Sequence, residues 1–202
     1  MLVKICGIQT KEAAHSAADA GADFIGFVFA PSKRQVTPEQ AAEIGISLSS
    51  SVRKVGVFVN ETKEAIERTA EIADLDLIQL HGDETPEFAG SLSYPVIKAN
   101  PMTNEFASAA AASFPSEFLL IDSPRGPNRG GNGTTFDWNL LSGGGVDLNK
   151  IILAGGLNPD NVQEAIAAVH PAGVDVSSGV ETDGQKDADK IVRFVHEAKA
   201  KS

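Results

Sequence analysis

The chain has 202 residues, 42% of them apolar, 22% charged and 6% aromatic; this excludes disordered and fibrous classes and supports a single globular domain over 1–202. A formal net charge of −10 opposes non-specific binding to nucleic acid or to an anionic membrane, so any anionic ligand must be held by local groups. One cysteine, Cys6, excludes an intrachain disulfide and a thiolate metal cluster, leaving core packing to hold the fold.

The N-terminus lacks a signal-peptide pattern, and apolar runs such as Phe24 to Ala30 fall far short of the roughly 20 residues that a membrane span needs. A cytoplasmic protein is expected, monomeric at this charge and size. In chain order, the first strand is Val3–Cys6, and Thr10 before K-E-A-A starts a helix. Strand Phe24–Phe29 precedes a helix opened by Thr37-Pro38-Glu39, and Lys54–Val59 precedes one opened by Thr62. Leu75–His81 leads to Thr85-Pro86-Glu87, Val96–Ala99 to Thr103, and Phe118–Asp122 to Asp137. Ile151–Ala154 leads to Asn158-Pro159-Asp160, and Gly173–Val176 to a final helix from Asp187 to Lys199. Continuous apolar strands, each followed by a helix, imply a parallel sheet covered by helices. Eight such units in a small domain favour a closed (β/α)8 barrel, an α/β fold of the TIM type, over an open sheet. Between Ser123 and Thr135 the glycines and prolines rule out regular structure, marking a candidate closing loop. A short echo, G-F-V-F at Gly26 and G-V-F-V at Gly56, fits repeated barrel units.

In such a barrel the active-site groups sit at the C-terminal strand ends. Strand parity turns Lys4 and Cys6 to one side and Val3 and Ile5 to the other, so Cys6 projects into the mouth; a buried filler is the competing reading. Asp122 closes the apolar run F-L-L-I-D, where an acid is either used or caps the next turn. Gln79 and His81 face inward from Q-L-H-G, with His81 either a base or a positioned hydrogen-bonding group. Gly155 and Gly156 after strand seven, with Ser177, Ser178 and Gly179 after strand eight, let backbone N–H groups approach a phosphate, aided by a short helix starting near Gly179. Arg34, in P-S-K-R, suits a bidentate grip on a carboxylate, against the default of a solvated loop arginine.

A thiol and a carboxyl flanking one mouth suit a proton-transfer isomerisation without metal or cofactor. Another sugar-phosphate isomerase or epimerase, or a Schiff-base aldolase using Lys98 or Lys4, is the competing chemistry, and a non-catalytic phosphosugar-binding barrel the competing class. Across nearly the whole chain, K-I-C-G, G-F-V-F-x-P-S-K-R, I-Q-L-H-G-D-E, L-L-I-D, G-G-N-G-T-T-F-D-W, L-A-G-G-L-N-P and V-D-V-S-S-G-V-E resemble the phosphoribosylanthranilate isomerase family of tryptophan biosynthesis. The resemblance implies an Amadori rearrangement of N-(5-phosphoribosyl)anthranilate, a small phosphosugar, to 1-(2-carboxyphenylamino)-1-deoxyribulose 5-phosphate. It carries the general base to Cys6, the general acid to Asp122 and the anthranilate-carboxylate site to Arg34. A thiol serving as base near neutral pH is expected to have its pKa lowered, with Lys4 as helper, and Asp175 is expected to organise the site.

Overall fold

The computed structural model of the chain describes residues 1–101, 113–122 and 147–200. Eight strands close into one barrel in sequence order: β1 (Leu2–Cys6), β2 (Phe24–Val28), β3 (Arg53–Phe58), β4 (Leu77–Leu80), β5 (Val96–Pro101), β6 (Phe118–Asp122), β7 (Ile151–Ala154) and β8 (Gly173–Val176). Every neighbouring pair is parallel, including β1 with β8, where Leu2 faces Gly173 and Lys4 faces Asp175. The ranges read from sequence agree to within two residues at each end.

Helices α1 (Lys11–Ala20), α2 (Pro38–Gly45), α3 (Lys63–Ile72) and α4 (Pro86–Ser91) each start where a threonine side chain accepts a backbone N–H three residues on. At Thr37 the reciprocal bond is added, its backbone N–H donating to Gln40 Oε1, and Pro38 and Pro86 supply a preset φ at the first helical position. One expected start is displaced: α5 (Val162–Val169) begins past Asn158-Pro159-Asp160. There Asn158 Oδ1 accepts the Asp160 N–H and Asn161 Oδ1 accepts the Asn158 N–H, so the side chains build a turn before the helix. The last helix, α6 (Ala188–Lys199), is capped by Asp187. The expected helices after Thr103 and Asp137, and the loop Ser123–Thr135, lie outside the described residues.

Alternation sorts each strand into two layers. Val3, Ile5, Ile25, Phe27, Ile78 and Leu80 pack outward in the layer shared with the helices. Phe24, Val55, Leu77, Ile97, Leu120 and Ile152 fill the barrel interior, with the Arg53 guanidinium 4.5 Å from the centre of the Phe24 ring. Gly26 and Gly56 are therefore not equivalent: the register opposes Gly26 to Val55 and Phe27 to Gly56, so one glycine faces the interior and the other the helices. The sequence echo does not survive as structural symmetry. The interior is apolar below and polar above, because Lys4, Gln79 and Asp175 occupy inward positions nearer the mouth. Leu77 is fully buried among these inward residues. Leu77→Ala is expected to lower unfolding free energy by about 2–5 kcal/mol in urea titrations, with the barrel still closed.

Candidate active site

A cavity of about 310 Å³ opens at the C-terminal mouth, lined by Cys6, Asp122, Arg34, Gln79 and His81 together with the five residues of the expected phosphate cradle. Cys6 comes from the end of β1, Asp122 from the end of β6, and Gln79 with His81 from β4 and the residue after it. Val57 and Leu120 contribute apolar wall between them.

The phosphate-type side is built from backbone. Gly155 and Gly156 have φ of 82° and 68°, values that exclude most side chains and expose the chain after β7. A Cβ at Gly179 would overlap the Leu157 carbonyl oxygen, so the loops after β7 and β8 approach closely only because that residue is glycine. The helix expected near Gly179 is a single 3-10 turn, Ser178–Val180, too short to carry a macrodipole. Any anion held there depends on individual N–H groups.

Arg34 departs from the solvated-loop reading. Its Nε donates to Glu181 Oε1 at 2.6 Å and its Nη2 to Glu181 Oε2 at 2.8 Å, with both side chains largely buried. Its aliphatic stem crosses Gly7, where a Cβ would lie 2.5 Å from Arg34 Cδ. Lys186 also meets Glu181 Oε1 at 2.8 Å and donates to the Ser177 carbonyl at 2.9 Å. Burial alone would raise the Glu181 pKa, but hydrogen bonds from Arg34 and Lys186 outweigh it and bring the carboxyl to about 2. Glu181 thus ties the arginine after β2 to the loop after β8. Neither Glu181 nor Lys186 was picked out by the sequence reading. The signal lay in E-T-D-G-Q-K: Asp183 and Gly184 both have positive φ and join β9 (Glu181–Thr182) to β10 (Gln185–Lys186) as a tight hairpin.

Gln79 is buried, and its Nε2 lies 3.1 Å from His81 Nδ1; His81 Nε2 is 4.0 Å from Asp122 Oδ2. With the Gln79 amide donating, Nδ1 accepts and the ring hydrogen sits on Nε2, toward Asp122. Burial pushes the imidazole pKa below its ordinary value, and the Asp122 charge opposes this only in part. His81 is therefore a neutral ring beside an acid, which suits a positioning role better than that of a resting base.

Two expectations are corrected here. Burial raises the Cys6 thiol above its ordinary pKa, and the Lys4 charge pulls it back only in part, so the resting group is a protonated thiol rather than one with a lowered pKa. The lysines suggested for Schiff-base chemistry are both tied up: Lys4 in a buried ion pair with Asp175 at 2.9 Å, and Lys98 in one with Glu84 at 2.8 Å. Lys98 alternates with the inward Ile97 and Ala99 and does not line the mouth. Glu84 also accepts from the Asn60 and Gly82 N–H groups, so this knot fixes the loop after β4.

A family model described as N-(5'phosphoribosyl)anthranilate (PRA) isomerase matches residues 3–197. The N-(5'-phosphoribosyl)anthranilate isomerase of Oceanobacillus iheyensis is 52% identical over 196 residues, covering 96% of this chain and 95% of the relative. A structure of phosphoribosyl anthranilate isomerase in complex with reduced 1-(o-carboxyphenylamino)-1-deoxyribulose 5-phosphate is 40% identical, with 98% of each chain covered and a TM-score of 0.86. A structure of monomers generated from the dimeric enzyme of Thermotoga maritima is likewise 40% identical over 98% of each chain, with a TM-score of 0.85.

The Glu181 carboxyl gives this region an acid signature. Its folded pKa, about 2, lies below the ordinary 4.5, so the stability it contributes is present above about 4.5 and lost as pH falls toward 2. Urea midpoints measured down this pH range are expected to fall more steeply for the parent than for Glu181→Gln. Parallel profiles would remove the assignment.

Proposed function

The chain belongs to the N-(5'-phosphoribosyl)anthranilate isomerase family, whose reaction in tryptophan biosynthesis it catalyses, and we propose that Cys6 and Asp122 carry that reaction as base and acid. The observation that supports this most directly is that a thiol from β1 and a carboxyl from β6 open onto one cavity. That cavity also offers a glycine- and serine-rich backbone on one side and a guanidinium on another, which matches a substrate with a phosphate at one end and a carboxylate at the other.

In this reading the phosphate rests on the N–H groups around Gly155, Gly156, Ser177, Ser178 and Gly179. Arg34 receives the anthranilate carboxylate on the N–H groups that Glu181 leaves available, its planar fork already oriented by that pair. Asp122 protonates the furanose ring oxygen, the C1′–oxygen bond breaks, and the anilinic nitrogen lone pair completes the Schiff base. Cys6, as thiolate, then removes the C2′ proton; the electrons flow into the iminium to give an enolamine, which tautomerises to the ketose. Gln79 and His81 contact the sugar and hold the neighbourhood of Asp122. Substrate drives out water on entry, so the thiol must release its proton to that water before the complex forms. A binding-only barrel would need none of this pairing of acid and thiol, and the two lysines of the aldolase reading are both held in ion pairs.

The same reading makes the chain one barrel domain over 1–202, monomeric and cytoplasmic. A base that is a free thiol is best kept in a reducing compartment. Among the described residues no helix is long and apolar enough to cross a membrane. Light scattering is expected to give the mass of one chain, 21.1 kDa; twice that value would replace the monomer by a dimer.

The catalytic assignment is tested by following loss of phosphoribosylanthranilate fluorescence. Cys6→Ser and Asp122→Asn are each expected to lower kcat by about two orders of magnitude or more, with product affinity little changed. Parent-like turnover in Cys6→Ser would sink the base assignment.

A further inference from the structure

Lys4 is fully buried and forms no part of the cavity wall, whereas its ion-pair partner Asp175 and its strand neighbour Cys6 both line it. A Cβ built at Gly26 would lie 3.0 Å from Cys6 Sγ and 3.1 Å from Lys4 Nζ, so the thiol and the ammonium share the space that Gly26 leaves open. The register explains the grouping: Cys6 faces Gly26 across β1 and β2, and Lys4 faces Asp175 across β1 and β8. A leucine or methionine at position 4 would fill the interior without the desolvation that a buried ammonium carries. The charge therefore calls for a reason other than packing.

Two opposite charges thus flank one thiol. The Lys4 cation favours the thiolate and the Asp175 anion disfavours it, while burial favours the neutral form. The other charged groups near the sulfur are Lys186 and Arg34, both engaged by Glu181, and beyond Asp175 lies the neutral His81. We propose that the buried Lys4–Asp175 pair tunes the ionisation of Cys6, with the Lys4 ammonium beside the sulfur favouring the thiolate and Asp175 acting as its counterweight. Lys4 is a positioning residue, acting on the sulfur and never on substrate. The proposal deepens the reading of Cys6 as base and rests on it for its purpose. The ionisation itself is measurable without turnover.

The test is the pH dependence of alkylation by iodoacetamide, followed by mass. Cys6 is the sole cysteine, so one modification reports one sulfur. Lys4→Met is expected to move the midpoint of the rate profile to higher pH and to slow alkylation at neutral pH about tenfold or more. Asp175→Asn is expected to move the midpoint to lower pH and speed alkylation, and Lys4→Met combined with Asp175→Asn to return toward the parent. The ascending limb of kcat/KM should shift in the same direction as the alkylation midpoint. Shifts of the same sign in both single variants, or unchanged midpoints, would overturn the proposal, since loosened packing alone has no reason to give opposite signs. If Lys4→Met does not fold, Asp175→Asn decides: a midpoint that stays put or rises overturns the proposal. Parent-like turnover in Cys6→Ser would remove the base reading and leave the alkylation result standing.

Discussion

The ion pair between Lys4 and Asp175 joins the first strand of the barrel to the last and does so inside the interior, directly below the mouth. A buried ion pair of this kind is a poor source of net stability, because desolvation offsets much of the Coulomb attraction, whereas breaking it strands a charge at a cost of about 3–5 kcal/mol. The pair is therefore a constraint more than an asset. Closure of the barrel brings the two charges together, and the two charges hold the seam in a register that a one-residue slip would ruin. The same register puts Cys6 over Gly26 and Ser177 beside the phosphate-type loop. Closure of the fold and geometry of the site are thus fixed by one contact.

Much of the barrel was legible in the sequence because its signals are local. Thr10, Thr37, Thr62 and Thr85 each precede a helix, and each accepts the N–H that a cap must satisfy. Parity turned Cys6 inward and the end of an apolar run marked Asp122, and both, with Gln79, line one cavity. What escaped the reading depends on contacts distant in the chain. Glu181 is 147 residues from Arg34, and nothing in P-S-K-R announces a carboxylate that already holds its guanidinium. The ionisation of Cys6 went wrong for a related reason: the need for a thiolate near neutral pH suggested a lowered pKa with Lys4 as helper, but the depth of burial and the presence of Asp175 are properties of the assembled barrel. The displaced start of α5 was a local error, since asparagine and proline that begin a turn look like those that begin a helix.

The overall charge and the local charge run in opposite directions. A chain of net charge −10 takes a substrate with a carboxylate and a phosphate, so long-range attraction does not deliver it. In the proposed reading the compensating groups sit at the mouth: Arg34, which Glu181 ties to Lys186, and the backbone of the loops after β7 and β8. Recognition at short range gains specificity from the placement of each donor, and Glu181 fixes two of the cations relative to each other. The negative remainder of the surface favours solubility and repels polyanions that the same cations would otherwise attract.

The Lys4–Asp175 contact spans 171 residues of chain. During synthesis Lys4 emerges 171 residues ahead of Asp175, and translation proceeds at roughly 5–20 residues per second. For that interval the nascent chain carries its thiol in an open, solvated strand with no counter-charges around it. A barrel of seven strands has an unpaired edge on either side of the gap and no complete environment for the sulfur. The group proposed as base therefore acquires its acid–base character only once β8 is in place, and a truncated product of interrupted translation would carry Cys6 with the ordinary ionisation of a solvated thiol, free of the burial that holds it protonated in the barrel.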